Sequence, residues 1–275
     1  MILVTGATGN VGRNVVEQLL AEGAEVRAIS RNPGTAGLPA GVQVLPGDLT
    51  RPETLPAALD GVDRVFLFPA QVDALVEAAQ EAGVRRIVLL SAAAVEMEAG
   101  GEIARAHLAC ERAVAGSGLE WTFLRPGAFM VNDLAWAESV RGTGVVRDIG
   151  GDRPSTPIDE RDIAAVAVRA LLDDGHASRT YLLSGPEELT AVERLRILGE
   201  VLGRGIRFEE ESLAEARERM LARMPAHLVD TLLNLFTRDE NDLGVSPAVA
   251  EITGKSRTYR EWATHHAADF QTRES

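Results

Sequence analysis

Short apolar, β-branched runs alternate with helical segments over the first 90 residues of the chain. The apolar runs lack the two-residue alternation of a half-exposed sheet, so they predict fully buried strands. These runs are ILVTG, AEVRAIS, VQVLPGD, RVFLF and RRIVLLS. Three segments between them have helical spacing and end near glycine: GRNVVEQLLAEG, RPETLPAALDG and VDALVEAAQEAG. The alternation predicts an α/β fold with a doubly wound parallel sheet and right-handed crossovers.

The alternation continues to residue 185 and then changes character. A helix over 101–116 is followed by the strand EWTFLRP, a short run VVRDIG, the helix ERDIAAVAVRALL and the strand RTYLLSG. The remainder is mainly helical, in TAVERLRILGEVLG, LAEARERMLARM and PAHLVDTLLNLF, with IRFEE between the first two. We therefore predict a Rossmann-like domain over 1–155, with its sheet completed within 156–185. A smaller, mainly helical substrate lobe is predicted over 186–275.

A glycine-rich loop, TGATGNVGRNV, connects the first strand to the first helix. Its glycines, Gly6, Gly9 and Gly12, permit a tight turn, a close approach of backbone to a pyrophosphate, and close packing of helix on strand. The helix N-terminus then stabilises the negative charge. At this place in a doubly wound pattern the loop predicts dinucleotide binding, with Thr8, Asn10 and Val11 as further contacts. The alternative is a glycine-rich turn without a ligand. 

The end of the second strand favours NADP(H) over NAD(H). Where an NAD-binding protein offers a carboxylate to the adenosine ribose, this chain has Ser30, Arg31 and Asn32. A guanidinium can pair with a 2′-phosphate, and Arg13 can add a second positive group. The alternative for Arg31 is a solvated loop arginine. Further cofactor contacts are expected where the third and fourth strands end, at Asp48, Leu49, Phe68 and Pro69.

Composition and charge exclude several classes of function. The chain has 28 Lys and Arg against 41 Asp and Glu, a formal charge of −13, with the basic residues spread among acids, so we expect no binding to nucleic acid. No apolar run approaches the roughly 18–20 residues of a spanning helix, so no membrane role is expected. Because MILVTGATG leads directly into a strand, we predict a cytoplasmic protein. The single Cys110 is interpreted as a small buried apolar residue, and no metal-ligand spacing is present.

Several blocks of the sequence together identify a family. Besides TGATGNVG, they are GDLTRPETLPAALDGVDRVF, SGLEWTFLRPGAFMVN, PIDERDIAAVAVRAL and TGKSRTYREWA. In this order and spacing the chain resembles the NmrA-like group of atypical short-chain dehydrogenases/reductases over nearly its whole length. The resemblance implies a Rossmann-like domain and a smaller C-terminal part that closes over a substrate cleft. It also implies that Pro126, Gly127, Ala128 and Phe129 line the nicotinamide end. Arg125 belongs to this end or is a structural ion-pair partner.

The stretch IARAHLACE raises the question of a catalytic acid. Ordinary short-chain reductases use Tyr and Lys four residues apart on one helix, with Ser on the preceding strand. Here the two helix positions fall on Ile103 and His107, while Ser91 ends the fifth strand as expected. His107 either replaces the missing groups, as donor or ribose ligand, or is a packed helix residue. His107 and Ser91 are thus the catalytic candidates and also candidate cofactor ligands.

The predicted function is NADPH-dependent reduction of a small hydrophobic, aromatic or quinone-like substrate by hydride transfer. Reduction of a quinone tolerates loss of Tyr and Lys, because water can protonate a stabilised phenolate. The alternatives are a non-catalytic redox sensor that binds NAD(P) and a natural-product enzyme that uses the fold for another reaction. We expect a monomer or a homodimer. Lobe residues that line the cleft, or else are core, are Met220, Met224, Leu228, Leu232, Leu233, Leu235 and Phe236.

Overall fold

The computed structural model describes residues 1–97, 100–237 and 243–271. The described residues contain nine strands: β1 (Ile2–Val4), β2 (Val26–Ser30), β3 (Gln43–Pro46), β4 (Arg64–Leu67), β5 (Arg86–Leu90), β6 (Glu120–Pro126), β7 (Val145–Asp148), β8 (Arg179–Leu183) and β9 (Arg207–Glu210). They also contain eleven α-helices: α1 (Asn10–Ala21), α2 (Leu55–Leu59), α3 (Val72–Glu81), α4 (Gly101–Gly116), α5 (Ala137–Arg141), α6 (Glu160–Leu172), α7 (Ala191–Leu202), α8 (Leu213–Leu221), α9 (Ala226–Thr237), α10 (Ala248–Thr253) and α11 (Tyr259–His265).

Seven parallel strands form the central sheet, in the order β3-β2-β1-β4-β5-β6-β8. Helices α1, α6 and α10 cover one face with one buried cluster, and α2, α3 and α4 cover the other face with a second. The predicted doubly wound parallel sheet is therefore confirmed. The strand order reverses between β1 and β4, and a ligand crevice is expected at the carboxyl ends of the strands beside this switch point.

Strand β3 corrects one expectation. VQVLPGD was predicted to be fully buried, but none of the residues of β3 is buried, and Gln43 and Pro46 are exposed. The physical reason is that β3 pairs only with β2 and forms an edge of the sheet. The absence of two-residue alternation indicated a buried strand, but an edge strand covered by few neighbours gives the same pattern.

Two arginines, one buried and one half-buried, hold α6 at the edge of the sheet opposite the crevice. Arg86 opens β5 and donates to the carbonyls of Ala170 and Asp173 at the end of α6, at 3.0 and 2.6 Å. Arg64 opens β4 and donates to the Leu171 carbonyl at 2.7 Å. The last carbonyls of a helix lack partners within the helix, and cations are favourable there. These contacts hold α6 against the sheet.

A third buried cluster lies outside the two that cover the sheet. It centres on Trp262 and Tyr259 of α11 and also includes Met130, Trp136 and Val146. Beside it, β7 and β9 form a two-stranded parallel sheet, a pairing that the sequence did not predict for VVRDIG and IRFEE. The cluster draws on residues from both predicted ranges, 1–155 and 186–275. The division of the chain at these bounds therefore stays a prediction.

The start of α6 joins two of the blocks that identified the family. Asp162 of PIDERDIAAVAVRAL is fully buried and accepts from the backbone N–H of Arg257, at 2.7 Å, and from its guanidinium. Arg257 belongs to TGKSRTYREWA. A buried carboxylate without a partner is strongly destabilising. Asp162 in the first block therefore requires Arg257 in the second block to remain in place. Within the described ranges, no helix has the length and apolar character needed to cross a membrane.

Candidate functional site

The glycine loop brings helix α1 unusually close to the turn that precedes it. Gly6 has φ +61°, in the region that favours glycine, and its carbonyl accepts from the Gly9 N–H at 2.9 Å. A Cβ on Gly12 would lie 2.2 Å from the Gly6 carbonyl oxygen. No side chain caps α1, and its first turn carries no acidic residue. The amides of that turn are therefore available to an anion, as a bound pyrophosphate requires.

A cavity of about 630 Å³ opens beside this turn. Residues that follow β1, β2, β3 and β4 line it, because the carboxyl ends of parallel strands meet at one edge of the sheet. The lining residues that the sequence predicted or discussed are Gly6, Thr8, Arg13, Ser30, Arg31, Asn32, Asp48, Leu49 and Phe68. Those that it missed include Thr5, Thr35, Gly47, Thr50, Ala70 and Gln71. The volume and the position suit the adenosine half of a dinucleotide.

Two arginines line the cavity, and they differ in what they contact. Arg13 donates to the carbonyls of Gly37 and Ala36, at 2.7 and 3.4 Å, so its guanidinium braces the loop after β2. Arg31 is exposed and makes no hydrogen bond or ion pair with any residue in the described ranges. Of these two guanidinium groups, that of Arg31 is the one free to meet an anionic ligand.

Asp48 lies across the same cavity with its carboxylate held in place. Its Oδ1 accepts from the backbone N–H and the hydroxyl of Thr50, at 2.9 and 2.8 Å. The two hydrogen bonds from Thr50 lower the pKa of Asp48, and the nearby positive charge of Arg31 lowers it further. The carboxylate is thus ionised at neutral pH and turned toward its own loop.

The end of β4 forms the cavity wall nearest to the glycine loop. The Phe68 N–H donates to Thr5 Oγ1 at 2.7 Å, and the Phe68 ring is 46% exposed. A Cβ on Gly6 would lie 3.0 Å from Phe68 Cβ, so the glycine also makes room for this ring. Gln71 has left-handed backbone angles, φ 50° and ψ 48°, which are rare for a residue with a side chain. Its place in the wall had no signal in the sequence.

Not all predicted cofactor residues line this cavity. Gly9, Asn10, Val11 and Gly12 belong to the turn and to the start of α1 behind it, and Pro69 lies between two lining residues. The other predicted contacts stand further along the same edge of the sheet: Ser91, His107, Pro126, Gly127 and Phe129. The structure therefore gathers the adenosine-side candidates in one cavity and keeps the nicotinamide-side candidates apart from it.

Ser91 follows β5 and is tied to β6 and α4. Its N–H donates to the Leu124 carbonyl at 2.7 Å, and its Oγ lies 2.6 Å from Glu111 Oε1. Arg125 donates to both Glu111 oxygens, at 2.9 and 2.5 Å, and to Glu96 at 2.9 Å. The interpretation of Arg125 as an ion-pair partner is therefore confirmed. Glu111, which the sequence analysis did not single out, is the centre of this group.

His107 lies one helical turn before Glu111, on the same stripe of α4. Glu111 contacts Ser91 at the carboxyl end of β5, so His107 and Ile103, still closer to the start of α4, extend past that edge of the sheet. His107 Nδ1 lies 2.8 Å from the Ile103 carbonyl oxygen. A carbonyl only accepts, so Nδ1 carries the proton in this contact, and no hydrogen bond reaches Nε2 within the described ranges.

The segment after β6 continues this edge. The Gly127 N–H donates to the Leu183 carbonyl at 3.0 Å, and Phe129 forms an isolated parallel bridge with Ile158. Pro126 is buried, Phe129 is half-buried and Ala128 is exposed. The backbone of this segment is thus anchored to the end of β8 and to the segment before α6, while Ala128 is exposed.

Helix α9 lies over the start of α4. Thr231 Cγ2 would be 3.1 Å from a Cβ on Gly101, the first residue of α4. The predicted apolar residues of the lobe are half-buried and belong to none of the three buried clusters: Met220, Met224, Leu228, Leu232 and Leu233. The side chains of Leu235 and Phe236 lie outside what the structure describes. An apolar surface thus borders the start of the helix that carries His107.

Cys110 corrects another expectation. It is half-buried rather than buried, and it packs at the margin of the cluster under α3 and α4. Burial raises the pKa of its thiol, so the thiol stays protonated at neutral pH. The residue has no sign of a reactive cysteine.

Comparison with known proteins agrees with this geometry. A family model described as NAD(P)H-binding matches residues 6–174. The chain is 43% identical over 280 residues to a (4-alkanoyl-5-oxo-2,5-dihydrofuran-3-yl)methyl phosphate reductase of Streptomyces griseus, covering 98% of this chain and 99% of that protein. It is 38% identical over 283 residues to an NAD(P)H azoreductase of Xenophilus azovorans, with coverage of 98% and 99%.

A solved structure is similar over the whole fold. It is an NADPH-dependent quinone oxidoreductase of Escherichia coli in complex with NADPH, which superimposes with a TM-score of 0.82 at 28% identity. The match covers 96% of this chain and 99% of that one. The similarity therefore includes the lobe as well as the sheet.

Proposed function

The chain belongs to the NAD(P)H-binding family, within the NmrA-like atypical short-chain dehydrogenases/reductases, and from this membership we propose that it is an NADPH-dependent reductase of small, hydrophobic, conjugated substrates. The observation that carries the proposal is the close approach of α1 to the turn at Gly6, which leaves the uncapped amides of its first turn for a pyrophosphate. On α4, the positions that match the ordinary Tyr and Lys hold Ile103 and His107. The glycine loop suits a cofactor, while the helix lacks the tyrosine and lysine with which ordinary short-chain reductases reduce a simple ketone.

Arg31 supports the preference for NADPH over NADH. Its guanidinium makes no hydrogen bond or ion pair in the described ranges, and it borders the cavity that suits the adenosine half. A guanidinium pairs well with a phosphate, and no carboxylate at the end of β2 competes for a ribose 2′-hydroxyl. In this assignment the amides at the start of α1 hold the pyrophosphate, and Phe68 lies beside it.

The names of the relatives support the proposed substrate class. An alkanoyl-oxo-dihydrofuran, an azo compound and a quinone all contain a conjugated, electron-poor π system. When bound, NADPH supplies a hydride. The anion left after addition to such a system is delocalised, so water or a weak acid can protonate it. The half-buried apolar residues of α8 and α9 suit such a flat substrate, and Ser91, Pro126, Gly127 and Phe129 are proposed to line the nicotinamide end.

The proposal is tested by following the absorbance of NADPH with four acceptors: a benzoquinone, an azo dye, an acyl butenolide and a saturated ketone. We expect turnover with the first three, little with the ketone, and a lower KM for NADPH than for NADH. Tight binding of NADPH without oxidation by any acceptor would contradict the proposal and favour the redox-sensor alternative. The predicted cytoplasmic location and the choice between monomer and homodimer remain predictions that this assay does not address.

His107→Ala tests whether α4 takes part in the reaction. Since Nδ1 is bonded to Ile103, a proton can come from His107 only when the ring is protonated. We expect kcat to fall by about 100-fold with the acyl butenolide, in the range for a lost general acid, and by less with the quinone. Arg112→Ala, an exposed change on the same helix, is the matched control. Equal activity of both variants with both substrates would make His107 a packing residue.

A further inference from the structure

A group of three side chains, two buried and one half-buried, joins the carboxyl ends of β5 and β6 to α4. Ser91 Oγ contacts one oxygen of Glu111 at 2.6 Å, and Arg125 donates to both oxygens of the same carboxylate. Ser91 and Glu111 are each only 3% exposed. The contact between Ser91 and Glu111 is therefore shielded from water, and Ser91 stands at the carboxyl end of β5, at the edge that the proposed function assigns to the nicotinamide end of the cofactor.

The chemistry of the three groups determines which atom donates. A carboxylate that pairs with a guanidinium accepts hydrogen bonds only, whereas a serine hydroxyl donates one and accepts up to two. Ser91 is therefore the donor in its contact with Glu111, and its single proton is occupied. In the described ranges no second hydrogen bond reaches Ser91 Oγ, so its acceptor capacity is unused.

This arrangement is at odds with a role of Ser91 as a proton donor. To release its proton to a substrate, the hydroxyl would have to leave Glu111, whose buried carboxylate would lose one of its partners. When the Ser91 hydroxyl keeps its hydrogen bond to Glu111, no buried partner is lost, and the lone pairs of Ser91 Oγ stay able to accept from an incoming N–H or O–H. The nicotinamide riboside carries both kinds of donor, in its carboxamide and in its ribose hydroxyls.

We propose that Glu111, itself held by Arg125, fixes Ser91 as a hydrogen-bond acceptor for the nicotinamide-riboside end of the cofactor. This inference rests on the proposed function, because it requires a nicotinamide cofactor at this edge. Ser91 is then a binding residue that does not protonate the substrate. Glu111 and Arg125 are positioning residues that act through Ser91.

Ligand binding, measured by fluorescence titration and competition, tests the proposal without relying on turnover. Ser91→Ala leaves the ion pair of Glu111 with Arg125 intact but removes the acceptor. We expect its Kd for NADPH to rise by about 3- to 10-fold, the worth of one hydrogen bond. Its Kd for 2′,5′-ADP, which carries only the adenosine end, should not change. An unchanged Kd for both ligands would overturn the inference, as would an equal rise for both.

A cofactor analogue identifies the donor. The reduced 3-acetylpyridine analogue of NADPH has a methyl ketone in place of the carboxamide and so lacks its N–H. If the carboxamide is the donor, Ser91→Ala will weaken NADPH binding but not analogue binding. If a ribose hydroxyl is the donor, both will weaken alike. Either result supports Ser91 as an acceptor at this end of the cofactor.

Two glutamate variants test the positioning role. Glu111→Gln should weaken binding of NADPH but not of 2′,5′-ADP, and it should lower the melting temperature, because Arg125 loses a buried charge partner. Glu96→Gln is the matched control, since Glu96 also pairs with Arg125 but is partly exposed and does not contact Ser91. Equal weakening of NADPH binding by both variants would refute a specific role for Glu111. If Glu111→Gln fails to fold, the Ser91→Ala titration decides alone.

The two proposals fail in distinguishable ways. Wild-type protein that binds NADPH but oxidises it with no acceptor would refute the reductase and leave the binding test valid. Normal turnover together with unchanged NADPH binding by Ser91→Ala would refute the role of Ser91 and Glu111 alone.

Discussion

Gly12→Ala is expected to weaken both the fold and cofactor binding, because α1 packs directly on the turn before it. The added Cβ would lie 2.2 Å from the Gly6 carbonyl oxygen and 2.7 Å from its carbon, well inside the 3.0 Å that Cβ atoms respect. The atoms in the way belong to the backbone, so a rotamer change cannot relieve the overlap. Overpacking of this kind costs about 1–3 kcal/mol of unfolding free energy.

If the overlap pushes the start of α1 away from Gly6, the proposed anion site should also bind less tightly. Moving the start of α1 misaligns its amides, and one lost hydrogen bond to a charged group costs about 1.5–3 kcal/mol. This corresponds to a rise of at least about tenfold in the Kd for NADPH. Urea unfolding measures the first effect, and fluorescence titration with NADPH measures the second.

Gly116→Ala provides the control for this experiment. Gly116 ends α4, and a Cβ there would have no atom within 4 Å. This change should be neutral or stabilise the protein by up to about 1 kcal/mol, since alanine favours the helix. If Gly12→Ala unfolds at the same urea concentration as the wild type and binds NADPH equally well, α1 does not pack against Gly6 as closely as these distances require.

Two further changes test electrostatic features. Arg31→Ala should raise the Kd for NADPH by roughly 10-fold or more, because a charge-assisted contact is lost, and should leave the Kd for NADH unchanged. The control is Arg51→Ala, since Arg51 is a neighbour paired with Glu53, and it should alter neither Kd. Equal effects of Arg31→Ala on NADPH and NADH would contradict the assignment of Arg31. The hydrogen bond to Glu160 raises the pKa of His266 above its ordinary 6.5. Protonated His266 therefore stabilises the folded protein fully below about pH 6.5, and this stabilisation is lost as the pH rises through the raised pKa. Urea unfolding of wild type and His266→Gln should therefore differ most at pH 6 and converge in alkaline buffer; a difference that grows with pH would refute the sign.

The order of strands and helices could be predicted because each strand of the sheet is a separate apolar run and several helices, such as α7 and α10, end at a glycine. Helix α4 has the bounds that its periodicity predicted, residues 101–116. The short pairing of β7 with β9 joins residues 62 apart in sequence, as in Val145 with Arg207. Neither segment signals its partner, so periodicity alone could not predict that sheet.

The cavity shows that single residues of the site also depend on contacts that the sequence pattern does not reveal. Asp48 and Phe68 were predicted because parallel strands end at one edge, and both line the cavity. Gln71 lines it as well, but its left-handed backbone depends on how the turn after β4 packs. Similarly, Glu111 is 14 residues from Arg125 and 20 from Ser91, so only the folded chain shows that these three residues meet.

The two arginines near the glycine loop show why contacts that only the folded chain reveals matter for function. From the sequence, Arg31 is the candidate for pairing with a 2′-phosphate, and Arg13 can add a second positive group. In the structure the guanidinium of Arg13 is hydrogen-bonded to the Gly37 and Ala36 carbonyls, whereas that of Arg31 makes no hydrogen bond or ion pair in the described ranges. Recruiting Arg13 to a phosphate would break contacts that shape the cavity wall, while recruiting Arg31 breaks no hydrogen bond or ion pair in those ranges. Substitution of Arg31 should therefore change the preference for NADPH over NADH. Substitution of Arg13 should weaken the binding of both cofactors equally, because it loosens the loop after β2.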